Sequence, residues 1–286
     1  MLNQSQTNAV LPQGFSMLLT KHKTKDGSRW ALDGRFLLPG VSLSTLLGMS
    51  RTNMLEALAK FATTEPAIGE EEAPIDPQQE VWAAGVTYLR SRDARKAEST
   101  VADMYQKIYE AERPELFTKS LGWRVSGNHE PIRIRRDSHW NVPEPELVLV
   151  INSYKEIVGY CAGNDVSSRD IEGENPLYLP QAKIYNGSCA LGHGILICEP
   201  QAIRDIPIHL EIRRAEETVF AGEASTASMK RTLPELVGFL TRELDFPQGV
   251  FLMTGTCLVP DEFTLQPGDL ICIRVGELTL ENQVHL

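Results

Sequence analysis

Val142-Pro143-Glu144-Pro145-Glu146-Leu147-Val148-Leu149-Val150-Ile151 is the stretch on which the fold turns. Its second half, Leu147 to Ile151, is an unbroken apolar run and reads as a strand buried on both faces. Its first half carries Glu144 and Glu146 two residues apart, so on an extended chain both carboxylates point to one face. Like charges on one face repel unless something offsets them. Pro145 between them cannot donate to a ladder, which places the pair on an edge or irregular part of the strand. A turn near Asn152 to Lys155 leads into a second strand, Ile157 to Asn164. A hairpin centred there puts Ile151 opposite Glu156 and Glu144 opposite Gly163, with Asp165 at the same end, a diagonal neighbour of Glu144. Three carboxylates then converge at one mouth of the sheet. An oxygen-only set suits a hard ion such as Mg²⁺, with Mn²⁺ or Ca²⁺ as substitutes, rather than zinc. Taken alone, two glutamates at this spacing are more often a solvated edge strand than a metal site. The segment that follows, Gly163-Asn164-Asp165-Val166-Ser167-Ser168-Arg169-Asp170, shifts that balance.

Outward from this hairpin, turn residues separate further β-branched and apolar runs. Ile132 to Ile134, Gly194 to Cys198, Ile208 to Arg213, Leu270 to Val275 and Leu278 to Val284 read as strands, as do Val81 to Val86 and Phe15 to Leu19. Helical spacing of apolar residues predicts helices over Leu43 to Leu47, Asn53 to Thr63, residues 91 to 112, and Leu233 to Leu244, the last with Pro234 in its first turn. Strands dominate and do not alternate regularly with helices, which argues for a β-rich α+β fold and against a Rossmann or TIM arrangement. Residues 65 to 78 are acidic, proline-rich and aperiodic, and read as a solvated linker. The expected organisation is a small N-terminal α/β domain over 1–78 and a larger unit over 79–286.

The whole chain has 286 residues, a formal net charge of -10 and a pI of about 5.2. That acidity disfavours nucleic acid or an anionic membrane as the general partner, while leaving room for an anionic small molecule held by local cations. No apolar run reaches the roughly 18 to 20 residues that span a bilayer, and Met1 to Gly14 lacks the pattern of a signal peptide. The expected location is the cytoplasm. Five widely spaced cysteines without a CxxC pair agree with it and read as buried thiols. The histidines form no HxH or HExxH pattern, so they offer no metal-ligand set.

The ordered set of motifs resembles the fumarylacetoacetate hydrolase superfamily. It comprises Phe117-Thr118-Lys119, Glu144-Pro145-Glu146, Gly159-Tyr160, Asn164 to Asp170, Lys183, Thr254-Gly255-Thr256 and Pro267-Gly268-Asp269, over roughly residues 80 to 286. The resemblance implies a mixed β-sheet roll or barrel-like core, usually as a homodimer. It further implies a divalent metal on Glu144, Glu146 and Asp165, and an active-site lysine at Lys183. One departure matters. Members that hydrolyse carbon-carbon bonds usually carry a histidine a few residues after a Gly-x-Asn-Tyr segment; here Gly85-Val86-Thr87-Tyr88 is followed by Ser91 at that place. Serine is no general base at neutral pH without help. The Gly-Val-Thr-Tyr-x-x-Ser-Arg form is similar to the 2-keto-3-deoxy-D-arabinonate dehydratase branch, whose members are sugar-acid lyases.

The chemistry follows the same direction. A 2-oxo acid can chelate one metal ion through its carboxylate and C2 carbonyl, and the ion stabilises the enolate formed when C3 loses a proton. A hydroxyl on C4 can then leave as water. Dehydration needs no activated attacking water, so it tolerates the missing histidine. The expected activity is therefore a metal-dependent hydro-lyase acting on a 2-keto-3-deoxy sugar acid. The alternatives are a hydrolase of a diketo acid and a non-catalytic binding protein. Lys183 has two readings, a proton carrier or a fixed cation beside a ligand carboxylate. Ser91 is the second catalytic candidate. Arg90 and Arg92 are candidate clamps for substrate oxygens, Lys119 a candidate substrate contact from a loop, and Thr256 a candidate donor to the substrate carboxylate. Each of these four also has an ordinary surface or turn reading. Arg169-Asp170 reads as a structural pair behind the metal site. Glu110, Glu112 and Glu115, on or just after the 91–112 helix, are usually a solvated face, and one of them is a candidate base if this helix folds over the site.

Overall fold

The apolar runs become strands because each has a sheet to complete, and the structure, a computed structural model, describes residues 16–89, 102–260 and 262–286. In chain order the described strands begin with β1 (Ser16–Thr24), β2 (Gly27–Leu32), β3 (Arg35–Leu37), β4 (Ala62–Pro66), β5 (Glu71–Glu72), β6 (Glu80–Gly85) and β7 (Glu115–Leu121). They continue with β8 (Ile132–Arg133), β9 (Asn141–Val142), β10 (Pro145–Ile151), β11 (Ile157–Asp165), β12 (Ser167–Ser168) and β13 (Cys189–Leu191). The last are β14 (Gly194–Cys198), β15 (Pro207–Arg214), β16 (Glu217–Ser225), β17 (Val250–Met253), β18 (Leu270–Val275) and β19 (Leu278–His285). The described helices are α1 (Leu43–Leu47), α2 (Arg51–Phe61), α3 (Ala102–Glu110), α4 (Arg169–Glu174), α5 (Leu179–Lys183) and α6 (Leu233–Leu240). None of them is long and apolar enough to cross a membrane.

A long mixed sheet runs in the order β4-β3-β2-β1-β14-β11-β10-β17-β6-β7, with β13 added on β11 and β5 on β1. A second sheet runs β16-β15-β18-β19-β8, and β9 pairs with β12 beside the hairpin end. β10 and β11 pack against β15, β18 and β19 of the second sheet. They lie at the centre of the molecule, and every residue of both is buried. That is why their apolar residues run without alternation. The close approach of β11 to β14 depends on Gly159, where a Cβ would stand 2.2 Å from the Leu196 carbonyl oxygen. The β-rich α+β class expected from the sequence is the class observed.

The hairpin register differs from expectation by two residues at the glutamate end. Pro145 faces Asn164 and Glu146 faces Gly163, while Ile151 faces Ile157, with a bulge between Val150 and Ile151. A shift of two preserves which face each side chain occupies. It also brings Glu144 directly opposite Asp165, whose N–H donates to the Glu144 carbonyl at 3.0 Å.

The stretch read as a solvated linker is ordered. β4 takes in its first two residues and β5 its middle, Ile75 and Asp76 are buried, and the Asp76 carboxylate accepts from the Ser44 N–H (2.7 Å) and hydroxyl (2.8 Å). Its backbone groups are satisfied by pairing with β1 and by Gly34, which composition alone does not reveal. The N-terminal segment also docks on the hairpin turn. Ser153 N–H donates to Leu47 O (2.8 Å), Arg51 N–H donates to Glu156 Oε2 (2.6 Å), and the Arg51 guanidinium reaches Glu199 Oε1 (3.0 Å) and Cys198 O (3.0 Å). The helix read over 91–112 is seen as α3; residues 91–101 lie outside the described residues. α6 starts on a capping box, Thr232 with Glu235, and stops at Leu240, earlier than its apolar spacing suggested.

Candidate metal centre

The mouth of the hairpin is where chain direction and chemistry meet. Glu144 precedes β10, Glu146 lies within it, and Asp165 ends β11. Asn164 fixes the start of the pair by accepting the Glu144 N–H at 3.1 Å on its Oδ1. Each of the three carboxylates offers an oxygen, and these oxygens lie within 4.8 Å of one another. Their relative exposures are 2%, 1% and 2%, which makes the solvated-edge reading of this pair untenable.

Buried carboxylates require compensation. Lys183, the last residue of α5, donates from Nζ to Glu144 Oε2 (2.7 Å) and Asp165 Oδ2 (3.0 Å). Lys119 lies on strand β7 rather than on a loop, and its Nζ stands 2.5 Å from Asp165 Oδ1. A bulge in the β6–β7 pairing skips Lys119 between Thr118 and Ser120 and re-aims it. Its ammonium also donates to Val166 O (3.1 Å) and Lys183 O (2.6 Å), so it is anchored inside the protein. Arg169 adds a third cation, with Nη2 3.0 Å from Glu144 Oε1 and Nη1 3.2 Å from Glu172 Oε2. Glu172 is itself held by the Ser167 hydroxyl at 3.0 Å. On the remaining side, Gly255 N–H donates to Glu146 Oε2 at 2.6 Å.

The electrostatics match this arrangement. Burial, followed by the charges of Asp165 and Glu144, pushes the Glu146 carboxyl well above the usual carboxylate range; Lys183 and the Gly255 N–H oppose the rise. Burial raises the Tyr88 phenol, and the neighbouring Cys257 thiol and the charge of Glu146 add to the rise. Cys189 faces Asp165 across β13–β11, and burial pushes its thiol up to about 12, so it stands there as a neutral thiol. The donor set is thus three hard carboxylates without a thiolate. Its crowded like charges are what a small divalent cation would offset. The residues present fit Mg²⁺ or a similar ion.

The other expected site residues divide. Thr256 lies on the loop after β17, close to the glutamate pair, but its hydroxyl donates to the carbonyls of Pro145 (3.1 Å) and Leu258 (3.3 Å). It serves here as a backbone lock. Arg90, Ser91 and Arg92 lie outside the described residues. The Arg169–Asp170 pair does not form. Asp170 instead accepts from the Ser138 hydroxyl (2.5 Å) and the His139 N–H (2.8 Å), while Arg169 turns inward. Sequence reasoning missed Glu172 and the Gly255 N–H. The spacing of Arg169 and Glu172, three apart at a helix start, was a usable signal for the first.

The profile of the fumarylacetoacetate (FAA) hydrolase C-terminal family matches residues 80–285, and the chain belongs to that family. Among curated relatives it is similar to a probable 2-keto-3-deoxyxylonate dehydratase of Haloferax volcanii, with 45% identity over 216 residues covering 74% of this chain and 73% of that protein. It is similar as well to a 2-dehydro-3-deoxy-D-arabinonate dehydratase of Saccharolobus solfataricus, with 41% identity over 212 residues, or 72% and 70% of the two chains. Among solved structures, a 2-keto-3-deoxy-D-arabinonate dehydratase complexed with magnesium and 2,5-dioxopentanoate superposes with a TM-score of 0.73 at 29% identity, covering 94% of this chain and 98% of that one.

Proposed function

We propose that this chain is a divalent-metal-dependent hydro-lyase that removes water from a 2-keto-3-deoxy sugar acid, with 2-keto-3-deoxy-D-arabinonate as the substrate to test first. The observation that carries this reading is the buried triad Glu144, Glu146 and Asp165, each offering an oxygen within 4.8 Å of the others. The dehydratase names of the two curated relatives and the magnesium in the solved structure support it. Glu144, Glu146 and Asp165 would hold Mg²⁺, and the bound ion would supply Lewis-acid polarisation of the 2-oxo acid.

The protein's own groups account for the rest. Elimination takes a proton from C3, moves that electron pair into the C3–C4 bond, and releases the C4 hydroxyl, which picks up a proton and leaves as water. Lys183 is the proton carrier in this scheme, held by Glu144 and Asp165 with the Phe117 ring 5.9 Å from its Nζ. Glu115 is the candidate base. It shares a face of β7 with Phe117, and its carboxylate occupies the space over Gly85, where a Cβ would stand 2.0 Å from Oε2. Lys119 and Arg169 position Asp165 and Glu144. The chemistry falls to the 79–286 unit, a division supported by the family match starting at residue 80.

The test is incubation of the purified chain with Mg²⁺ and 2-keto-3-deoxy-D-arabinonate, following loss of one water per molecule. Cleavage of an acylpyruvate to pyruvate with no turnover of the sugar acid would overturn the reading in favour of hydrolysis.

A further inference from the structure

Glu146 has no ammonium or guanidinium partner among the ion pairs that hold Glu144 and Asp165. Its fixed contact is a backbone N–H, that of Gly255, at 2.6 Å. The orientation of Glu146 therefore depends on the peptide joining Thr254 to Gly255. That peptide is planar and trans, so its C=O and N–H point in opposite directions. The carbonyl end is held by the Thr87 hydroxyl, which donates to Thr254 O at 2.7 Å. Thr87, the Thr254–Gly255 peptide and Glu146 form one hydrogen-bonded line, in which each bond polarises the next.

Three features built into the chain support this line. Thr87 and Thr254 are both fully buried, so water does not substitute for either partner. Gly255 sits at φ +94, and a Cβ there would stand 2.0 Å from Thr87 Oγ1. The glycine thus gives the peptide its direction and leaves room for the hydroxyl. Val86 is held at φ 52, an unfavourable conformation for a β-branched residue, immediately before Thr87. The strain lies at the step that aims Thr87 at its carbonyl, where an accidental outlier would have no such neighbour.

We infer that Thr87 is a positioning residue for divalent-cation binding, acting on Glu146 through the Thr254–Gly255 peptide. This rests on the metal reading of the triad. The experiment is a calorimetric titration of the full-length chain with MgCl₂, without substrate, alongside thermal unfolding of the metal-free protein. Thr87→Val keeps the shape and removes the donor. Its Mg²⁺ dissociation constant should rise about 10- to 100-fold, as for other partners that orient a metal ligand, while it still unfolds cooperatively. Thr87→Ser and Thr87→Cys form a second pair, matched in size, that decides the matter if the valine variant does not fold. Serine should retain Mg²⁺ binding and cysteine should lose it. Equal affinity in parent and Thr87→Val, or in the serine and cysteine variants, overturns the role of Thr87 and leaves the metal reading standing. No Mg²⁺ binding by the parent overturns both.

Discussion

Lys183 Nζ and Glu144 Oε2 are 2.7 Å apart with neither side chain open to solvent, and the same ammonium bridges to Asp165. Two carboxylates thus share one cation. Removing it breaks two buried pairs at once and leaves Arg169 on Glu144 and Lys119 on Asp165 to offset the charges. Lys183→Met should cost the metal-free protein about 3–5 kcal/mol, the usual loss when a buried pair is broken. Urea denaturation with and without Mg²⁺ checks this, and the ion should restore part of the loss. Turnover in the same variant should fall by about 100-fold or more if Lys183 carries a proton. Near-parental turnover would leave it only the fixed-cation role.

Metal removal should be visible in stability as well as in activity. An ion that binds only the folded chain, present at about 100 times its dissociation constant, adds about 2.7 kcal/mol. EDTA should therefore lower the melting temperature of the parent. It should leave Glu144→Gln and Asp165→Asn unchanged, because those variants hold no ion to lose. An EDTA effect of equal size in all three would place the ion elsewhere.

The pH dependence follows from Glu146. Its folded carboxyl titrates well above the ordinary 4.5 because of burial and the charges of Asp165 and Glu144. Between the unfolded and folded values, the folded state holds a proton that the unfolded chain has released. The contribution is fully present below the unfolded value and is lost as pH rises through the folded one. The Glu146 contribution to the stability of the metal-free protein should fall from about pH 4.5 upward, so the parent should lose stability relative to Glu146→Gln as pH rises. Mg²⁺ affinity should move the other way, rising with pH and releasing protons on binding. Urea midpoints across pH, with calorimetry in two buffers of different ionisation enthalpy, test both signs.

Val86 gives a prediction about strain. It is buried, like Val81 on β6, but only Val86 has a positive φ, 52. Glycine relieves strain at 86 and none at 81. Val86→Gly should cost less stability than Val81→Gly by about 1–2 kcal/mol. Equal losses in a denaturant titration would show that Val86 stores no strain.

The N-terminal segment should not be separable. β1 continues the sheet from β14, and α1 and α2 rest on the 152–156 turn. A chain beginning at residue 79 should fail to unfold cooperatively or should self-associate. The full chain should melt in one transition. Two resolved transitions by calorimetry would contradict this.

Much of the site was legible because it is local. The Glu144–Glu146 spacing and the hairpin turn bring Asp165 to the same mouth even when the register is misjudged by two residues, since parity survives such a shift. Lys119 was harder to place. Its strand, Glu115–Leu121, reads as polar, and it takes the bulge, the Asp165 carboxylate and the two carbonyls it meets to explain a buried ammonium there. Arg169 could be paired with its neighbour Asp170 on paper; burial next to Glu144, more than twenty residues earlier, is a tertiary event. β16 escaped notice because it is a largely exposed edge strand with little apolar alternation. β5 was hidden by an acidic, proline-rich composition whose pairing partner lies far back in the chain, and the start of β4 by helical spacing that runs on to Thr63.

The pairing of β1 with β14 has a consequence for how the chain is made. Ser16 to Thr20 complete the sheet against Gly194 to Cys198, which a ribosome adds well over a hundred residues later. During synthesis β2, β3 and β4 can form around β1, but this side of β1, with Met17, Leu18 and Leu19, must wait open. Such an uncharged apolar edge invites pairing with other nascent chains. Expression yield of this protein should therefore depend on elongation speed and on chaperones that shield strands. A lysine placed at Leu18, which is only partly buried in the finished fold, should slow aggregation of the nascent chain more than it weakens the mature one.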